Sequence, residues 1–461
     1  MATVPERPPE QIMREVLDLC SGCDACRYLM EESCLFFPEL YRLSDRESSG
    51  GRQASEAELR ELAGLCTLCD LCPCPNVRAD VIEAKTGFVR REGFPLRLFF
   101  FADLQKLGEW GTRMPRLVNR SLDLPGIEAL VKKAAWIHPS RRVPRIPRES
   151  FFRWAERKGL DQEGGGEQSP KVAYFAGCTA GFLFPGVARA AVSVLEHNEV
   201  AVHVPPQQCC GMPTLLEGER NKTLQRARFN TKSLLQKVRE GYDPVCSCPT
   251  CGYLLKVLLQ EGAIYSEAYQ NAVGAEKGQV KVPMRKSQGE VELVSVNKAM
   301  YGQRLRDDGY FAALDPMNRT ALASRVTDMG EYLQSLHSRG PLKSPAGRIE
   351  MRAAYFAPCH QREQNIGSPY ADLLSRIPGL SLVRVGGPLD CCGMGGSLGM
   401  KKTFHQTSIK LGHPLMDKIR AAEPEAVVTD CLSCRLQFEH LLPYQVYHPL
   451  EILSWSYQTS L

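Results

Sequence analysis

Ten of the nineteen cysteines form one pattern that occurs twice along the chain. We refer to the two sets as the first quintet and the second quintet. The first quintet is Cys178, Cys209, Cys210, Cys248 and Cys251. The second quintet is Cys359, Cys391, Cys392, Cys431 and Cys434. Matching cysteines lie 181 to 183 residues apart, so the internal spacing agrees to within two residues. Soft thiolates at this density favour iron–sulfur chemistry.

Adjacent cysteines inside each quintet bear on the kind of metal site. Such a pair can bridge two irons, whereas a disulfide between neighbours would be strained. Five thiolates exceed what a cubane cluster needs, which favours an expanded, open cluster. Structural zinc is one alternative, although zinc gains nothing from a fifth thiolate; a redox disulfide is another. Gly211 and Gly393, which follow the pairs, are expected to let the backbone approach the metal closely.

A second group of eight cysteines precedes residue 85 and is similar to the pattern of a two-cluster ferredoxin, although the gap before the fourth cysteine is seven residues in the first run and one in the second, where three is usual. Two CxxCxxC runs are each accompanied by one further cysteine, and a remote cysteine followed by proline typically ligates the other cluster. The predicted ligand sets are Cys20, Cys23, Cys26 and Cys74 for cluster 1, and Cys66, Cys69, Cys72 and Cys34 for cluster 2. Zinc, which prefers well separated CxxC pairs, is the alternative.

The remaining candidate residues carry weaker signals. Cys246 is left over, and we interpret it as a core residue or an exchangeable ligand. His360 directly follows Cys359 and could donate a hydrogen bond to a sulfur. The other histidines of the second unit are expected to be structural, namely His405, His413 and His448. The glycine-rich run after Cys392 does not fit the dinucleotide-binding motif, so that interpretation is rejected.

Hydrophobic patterns indicate which elements position these cysteines. Helices over 11–19 and 55–65, the second with a Ser55–Glu58 capping box, lead into the N-terminal cysteine loops. Further on, strands alternate with helices twice, which predicts parallel sheets with chemistry at the strand ends. These strands are 172–176, 200–204, 353–357, 380–385 and 426–429, with helices over 186–196 and 370–376. The predicted fold class is α+β and multidomain, with an α-helical ferredoxin-like module before two duplicated α/β domains with small parallel sheets.

Domain boundaries follow from the same patterns. We expect an N-terminal module at 1–85, a basic helical connector at 86–165, a first α/β unit at 166–345 and a second at 346–461. Residues 161–170 have the composition of a flexible linker. Residues 262–345 contain no cysteine, and we interpret them as helices plus a polar insertion.

The connector is strongly basic. Between Phe88 and Lys158 there are 16 Lys and Arg against 7 Asp and Glu, which indicates a partner or a surface. No nucleic-acid-binding motif accompanies this charge, so nucleic acid is not expected as a partner. Residues 97–110 mix aromatic and charged residues at helical spacing. They predict either a helix packed on a neighbouring domain or an interfacial helix on a membrane.

Composition bounds the location of the protein. The longest apolar runs are too short to cross a bilayer, and the polar N-terminus does not resemble a signal peptide. Thiols at CxxC spacing in a chain of 461 residues favour a reducing compartment over a disulfide-linked secreted protein. We therefore expect the cytoplasm, with a peripheral position on the inner face of the cell membrane left open.

The arrangement CxnCCGxmCxxC, present twice behind a two-cluster module, resembles the CCG-domain iron–sulfur proteins. The architecture is similar to that of the C subunit of anaerobic glycerol-3-phosphate dehydrogenase and of the D-type subunit of heterodisulfide reductase. Longer phrases that carry the likeness are Phe152-Arg-Trp154, the run from Cys391 to Lys402, Gly412-His-Pro-Leu415 and the run from Val427 to Cys434. The resemblance implies a noncubane [4Fe–4S] cluster in each quintet, besides two ferredoxin-type [4Fe–4S] clusters.

Three functional hypotheses follow. The first is an electron-transfer subunit that passes electrons from a flavoprotein dehydrogenase through its clusters to quinone or another acceptor. The second is an enzyme similar to heterodisulfide reductase, which would cleave a disulfide at the noncubane clusters with His360 assisting protonation. The third is an electron donor to another redox metalloprotein. The catalytic residues, and whether the chain is itself an enzyme, stay open.

Overall fold

The computed structural model describes residues 7–69, 71–72, 74–124, 126–162, 170–285, 291–300, 309–339 and 347–458. The α-helices are α1 Pro9–Cys23, α2 Ala25–Leu29, α3 Phe36–Ser48, α4 Glu56–Leu65, α5 Pro75–Glu92, α6 Phe99–Ala102, α7 Leu104–Gly111, α8 Pro115–Leu122, α9 Ile127–Ala134, α10 Phe151–Arg157, α11 Pro185–His197, α12 Met212–Leu216, α13 Arg220–Arg239, α14 Pro249–Tyr253, α15 Glu267–Ala272, α16 Pro316–Ala323, α17 Met329–Arg339, α18 Cys359–Arg362, α19 Pro369–Leu374, α20 His405–Ala421, α21 Leu432–Leu441 and α22 Pro449–Gln458. The strands are β1 Lys171–Phe175, β2 Ala201–His203, β3 Asp243–Cys246, β4 Gln279–Arg285, β5 Val291–Asn297, β6 Thr327–Asp328, β7 Met351–Phe356, β8 Leu380–Arg384, β9 Ala426–Thr429 and β10 Gln445–Tyr447.

The N-terminal module, as far as it is described, is helical. Helix α4 begins after Ser55, whose side chain accepts from the Glu58 amide while the Glu58 carboxylate accepts from the Ser55 amide. Both bonds of the capping box are therefore present, as predicted. Helix α1 packs on α5 and α4 through an apolar face that includes Ile12, Met13 and Val16. The module thus has its own small core below its cysteine loops.

Each α/β unit contains a four-stranded parallel sheet. The strand orders are β2-β1-β3-β6 and β10-β9-β7-β8, and all of these pairs are parallel. Four consecutive buried residues, Val172 to Phe175 in β1 and Ala353 to Phe356 in β7, place these strands in the sheet centre, where both faces are covered. The predicted α+β fold with a helical N-terminus and two duplicated parallel-sheet units is confirmed.

The two units share one hydrophobic core. Helix α11 of the first unit packs on α22 of the second, and α17 packs on α19. Val187 and Leu195 of the first unit, together with Ile452 and Leu453 of the second, are fully buried in the same apolar cluster. The sheets are therefore joined by the helices that lie between them.

Residues 262–345 differ in part from the prediction. Besides helices, they contain the antiparallel hairpin β4–β5, and β6 adds a fourth strand to the first sheet. Val280 faces Val296 and Val282 faces Val294 across the hairpin, and such β-branched pairs stabilise strands. The linker residues 163–169 lie outside the described residues, and the domain boundaries themselves stay predictions.

The connector is broken into short helices that fold onto the first unit. The break between α6 and α7 occurs at Asp103, whose buried carboxylate pairs with Lys222 and Arg226 of α13. Gly108 lies so close to the Phe182 ring that a Cβ atom there would overlap it. Residues 99–111 thus pack on a neighbouring unit, which was one of the two interpretations. Among the described residues, no helix is long and apolar enough to cross a membrane.

Candidate metal centres

Both quintets lie at the carboxyl ends of parallel strands. Cys178, Cys248, Cys359 and Cys431 follow the central strands β1, β3, β7 and β9 within three residues, and the adjacent pairs follow the neighbouring strands β2 and β8. Side chains after parallel strands collect at one edge of a sheet. This topology brings cysteines that are distant in sequence together.

The two strand edges face one cavity of about 280 Å³. Every quintet member except Cys209 lines it, and so does Cys69 from the N-terminal module. Cys209 lies directly behind this lining, with its Sγ 3.4 Å from Sγ of Cys178. The cavity therefore lies between both quintets and the Cys66–Cys69 loop of the N-terminal module, which we call the cluster 2 loop.

Electrostatics within the first quintet divide its thiols into two kinds. Hydrogen bonding from Cys178 and Cys210 lowers the pKa of Cys209 well below its usual value, and Arg226 lowers it further. The same contact with Cys209 raises the pKa of Cys178 and Cys210, and burial adds to this. Hydrogen bonding with Cys251 likewise lowers the pKa of Cys248, so two of the five thiols differ from the other three.

The second quintet shows a similar division. Hydrogen bonding from Cys391 and Cys434 lowers the pKa of Cys392, and its Sγ lies 3.1 Å from that of Cys434. Burial raises the pKa of Cys359 well above its usual value, and the nearby Cys69 and Cys431 raise it further. Cys69 also contributes to the raised pKa of Cys391. The N-terminal module and the second quintet are therefore close enough to interact electrostatically.

The N-terminal cysteines fall into two neighbourhoods. Burial raises the pKa of Cys20 to about 12, and the thiols that raise it further are Cys26, Cys74 and Cys23. Burial also raises the pKa of Cys34 to about 12, and the nearby Cys69 and Cys66 raise it further. Burial likewise raises the pKa of Cys72, with further contributions from Cys66, Cys69 and Cys34. The neighbourhoods have the same members as the predicted ligand sets, whose role in binding iron stays a prediction.

The donor chemistry of these sites fits iron–sulfur clusters. Each neighbourhood offers four or five sulfurs. Burial raises the pKa of several of them, including Cys20, Cys34 and Cys359, and these become stable thiolates beside a cationic group. Such all-sulfur sets are the ligands of iron–sulfur clusters. In the described part of the chain, no group of three or more His, Cys, Asp or Glu side chains has the arrangement to hold a single metal ion.

His360 is buried and connects loops from three parts of the chain. Its Nε2 lies 2.8 Å from the Leu68 carbonyl oxygen, and its Nδ1 lies 3.0 Å from Oγ1 of Thr250. The Tyr253 ring stacks on the imidazole at 4.6 Å. Burial lowers the pKa of His360. The expected hydrogen bond to sulfur is replaced by contacts with a carbonyl and a hydroxyl group.

The other singled-out histidines and Cys246 lie outside the cavity lining. His448 is buried near the Ser247 carbonyl oxygen, His405 stacks on His138, and the exposed His413 pairs with Asp417. Cys246 is fully buried in β3.

Both glycines after the Cys-Cys pairs have positive φ angles, +108° at Gly211 and +83° at Gly393. A Cβ at Gly393 would lie 2.1 Å from the Ser408 carbonyl oxygen, so this glycine admits helix α20.

The connector supplies a wall of the cavity that the sequence did not assign. Phe100, Phe101, Leu104 and Ile146 line it. On the same helix as Leu104, Oε1 of Gln105 accepts a hydrogen bond of 2.7 Å from the Cys209 amide. The aromatic residues in 97–110 were the available sequence signal for this wall. The surface on which they pack forms only when the two units come together, so the sequence could not assign it.

Comparison with known proteins agrees with this geometry. The family model of the cysteine-rich domain called CCG matches residues 172–256 and 353–439, which contain both quintets. The C subunit of anaerobic glycerol-3-phosphate dehydrogenase from Escherichia coli is 25% identical over 361 residues, 78% of this chain and 76% of that protein. The B subunit of the fumarate reductase (CoM/CoB) from Methanothermobacter marburgensis is 25% identical over 309 residues, 65% of this chain and 49% of that protein. An uncharacterised iron–sulfur protein of Methanocaldococcus jannaschii is 26% identical over 267 residues, 57% of this chain and 40% of that protein.

The duplicated domain, the matching positions of its cysteines and these relatives agree with one another. Each unit matched by the family model is one of the two parallel-sheet units described above. The chain therefore contains two CCG cysteine-rich domains, at residues 172–256 and 353–439, and is similar to the C subunit of anaerobic glycerol-3-phosphate dehydrogenase.

Proposed function

We propose that this chain is an iron–sulfur electron-transfer subunit that receives electrons from a flavoprotein dehydrogenase partner and passes them to a quinone or another acceptor. Bound to the cysteines named above, [4Fe–4S] clusters would supply one-electron carriers. The relative from Escherichia coli is named as one subunit of a dehydrogenase, which supports a partner of that kind here.

The observation that carries the proposal is the shared cavity. Cysteines of both quintets and Cys69 line the same space, so a continuous route leads from the N-terminal module to an acceptor held there. At the other end of the module, Cys23 and Cys74 are exposed. A partner that docks at these cysteines would be close to cluster 1, which makes this end the proposed point of arrival.

The lining of the cavity bears on the acceptor. Most of its side chains are apolar, and among the described residues that line it there is no Lys or Arg. An anionic substrate would find no cationic partner in this lining, so its desolvation would be costly. An uncharged, apolar ring has little desolvation cost and packs well in such a lining. This supports a quinone as the acceptor.

Disulfide reduction is a second candidate, because the two quintets face each other across one cavity. Cleavage of a disulfide consumes two electrons and two protons and yields two thiols. Each quintet could supply one electron, and the described lining includes one imidazole, that of His360. The lining favours this reaction only for an uncharged disulfide.

A surface of the connector supports contact with a membrane. Helices α8 and α9 expose Leu117 and Leu130, whose exposed fractions are 60% and 66%, and Met114 is exposed to 61%. Beside them, Arg113 and Arg116 surround a surface pocket that Met114 and Leu117 also line. Apolar side chains rimmed by cations are typical of segments that lie on anionic lipid. Val131 of the same helix α9, itself 37% exposed, also lines the cavity, so lipid and cavity would be neighbours.

The proposal is tested on protein purified without oxygen. If all four sites fill, about sixteen irons and as many sulfides are expected per chain. Cys248→Ala should lower the iron content and remove one electron paramagnetic resonance (EPR) signal. Cys246→Ala, which changes the buried cysteine two residues earlier, serves as the matched control and should keep the iron. Equal iron loss in both variants would contradict the assignment.

The acceptor is tested with the same material. Dithionite-reduced protein should be reoxidised rapidly by a short-chain quinone and slowly by a simple uncharged disulfide. Fast reoxidation by the disulfide with release of two thiols would favour the reductase instead. No reoxidation by either would refute a quinone as the acceptor and disulfide reduction alike.

A further inference from the structure

His360 contacts two other segments that carry candidate ligand cysteines, and it belongs to a third. Leu68 lies in the Cys66–Cys69 loop of the N-terminal module, and Thr250 lies between Cys248 and Cys251 of the first quintet, in the first turn of α14. The histidine itself follows Cys359 of the second quintet. Its side chain is 7% exposed, so these hydrogen bonds are formed away from bulk water.

Of the two neutral tautomers of the imidazole, the bonding pattern fits one. The Leu68 carbonyl oxygen can only accept, so Nε2–H donates to it over 2.8 Å. Nδ1 then accepts from the hydroxyl group of Thr250 over 3.0 Å. A ring with one donor and one acceptor on opposite sides is needed to join these two segments, and among side chains the neutral imidazole provides it.

Packing fixes the plane of the ring. Tyr253 stacks on it at 4.6 Å with an interplanar angle of 5°. The Tyr253 hydroxyl group accepts a hydrogen bond of 3.2 Å from Arg78, a residue of α5 in the N-terminal module. Gln364, one turn after His360, donates to the Pro249 carbonyl oxygen of the first quintet loop over 3.1 Å. These contacts therefore join the segment after Cys359 to α14 of the first unit, and α14 to α5 of the N-terminal module.

The duplication shows that the cysteine-rich domain does not itself need this histidine. The residue that follows Cys178 in the first unit is Thr179, which stands at the position of His360. Both units have the same parallel sheet and the same cysteine spacing. Leu68 itself packs among apolar residues of the first unit, and what the second unit adds is the hydrogen bond from the imidazole to the Leu68 carbonyl oxygen.

From this junction we infer that His360 is a positioning residue that sets the separation of the cluster 2 loop from both quintets, and thereby the rate of electron transfer between them. The inference rests on the proposed function. It goes beyond it by naming the side chain on which the internal step depends. Transfer between redox centres falls steeply with their separation, so a small displacement of one loop has a large effect on the rate.

The test uses the full chain with His360→Phe, which keeps the stacking on Tyr253 and removes both hydrogen bonds. Thr250→Val removes one bond and Thr250→Ser keeps it. His203→Phe, at a buried histidine of strand β2 in the first unit, is the matched control. Iron and sulfide are counted first. Freeze-quench EPR then follows the loss of the ferredoxin-type signals after an oxidant is added, and magnetic interaction between the reduced centres is measured at equilibrium.

We expect His360→Phe to keep its iron, to show altered magnetic interaction, and to slow the internal transfer severalfold. Thr250→Val should show a smaller change that Thr250→Ser does not. Normal transfer and interaction in iron-replete His360→Phe would overturn the inference. If that variant loses iron, normal transfer in Thr250→Val overturns it instead. If the wild type shows no internal transfer, the proposed function fails, while the magnetic interaction still decides whether His360 positions the centres.

Discussion

Replacement of each glycine after a Cys-Cys pair by alanine provides a matched test of the second unit's packing. Both positions have left-handed backbone, which costs a residue with a side chain about 1–2 kcal/mol. The added Cβ meets different surroundings. At Gly211 the nearest atom is Cγ2 of Thr223 at 3.3 Å, whereas at Gly393 it is the Ser408 carbonyl oxygen at 2.1 Å.

The expected magnitudes follow from these distances. Gly211→Ala needs a shift of a few tenths of an ångström and should destabilise the protein by about 1–2 kcal/mol. Gly393→Ala must push back the backbone of helix α20, so an overpacking cost of about 1–3 kcal/mol adds to the same penalty. The difference between the variants should therefore be about 1–3 kcal/mol. It would appear as the lower midpoint of urea unfolding for Gly393→Ala, measured by circular dichroism without oxygen.

Iron counting on the same samples separates packing from metal binding. If both glycines were present to let the backbone approach a cluster, the two variants would lose iron equally and unfold at the same urea concentration. That result would refute the explanation based on helix α20.

Three further predictions concern other parts of the chain. Changing both Leu117 and Leu130 to Glu should weaken co-sedimentation with phosphatidylglycerol vesicles about a hundredfold or more, since each leucine contributes about 1.5–3 kcal/mol on burial; equal binding of both proteins would contradict the membrane face. Burial lowers the pKa of His405 to about 4, and the charge of Arg141 contributes to the same shift. In the unfolded chain its pKa is about 6.5, so the unfolded state binds a proton more readily and protonation favours unfolding. Stability should fall by about 2 kcal/mol from pH 7 to pH 5 through this group, and His405→Phe should lose that much less in urea titrations at the two pH values. Lys401→Met leaves Glu217 buried without its partner and should cost about 3–5 kcal/mol, most of it recovered in Lys401→Met/Glu217→Leu; equal stability of both variants would contradict the pairing.

Much of the fold was predictable because local patterns and tertiary structure agree. The capping box at Ser55, the buried strand beginning at Val172 and the strand 426–429 are all present as predicted. Each has a signal within a few residues, either a side-chain cap or a continuous apolar run. The hairpin β4–β5 was missed because polar residues such as Gln279, Lys281 and Ser295 separate its valines, and the segment was therefore interpreted as a polar insertion.

The cysteine pattern indicated the candidate ligands, but it could not indicate how the three sites meet. The contact of His360 with Leu68 spans 292 residues, and no local signal encodes such a distance. The same holds for Gln105, whose bond to the Cys209 amide depends on how the connector folds over the first unit. Asp103 explains that folding, since burial alone would raise its pKa but Lys222 and Arg226 lower it. A buried ion pair of this kind becomes visible only once α13 is in place.

The core shared by the two units has a consequence for substrate selection. Val187, Leu195 and Leu453 pack together between the sheets and are not among the side chains that line the cavity. Their packing nevertheless determines how far apart the two strand edges stand. Substitutions in this core, remote from any sulfur, would therefore change which molecules can fit in the cavity.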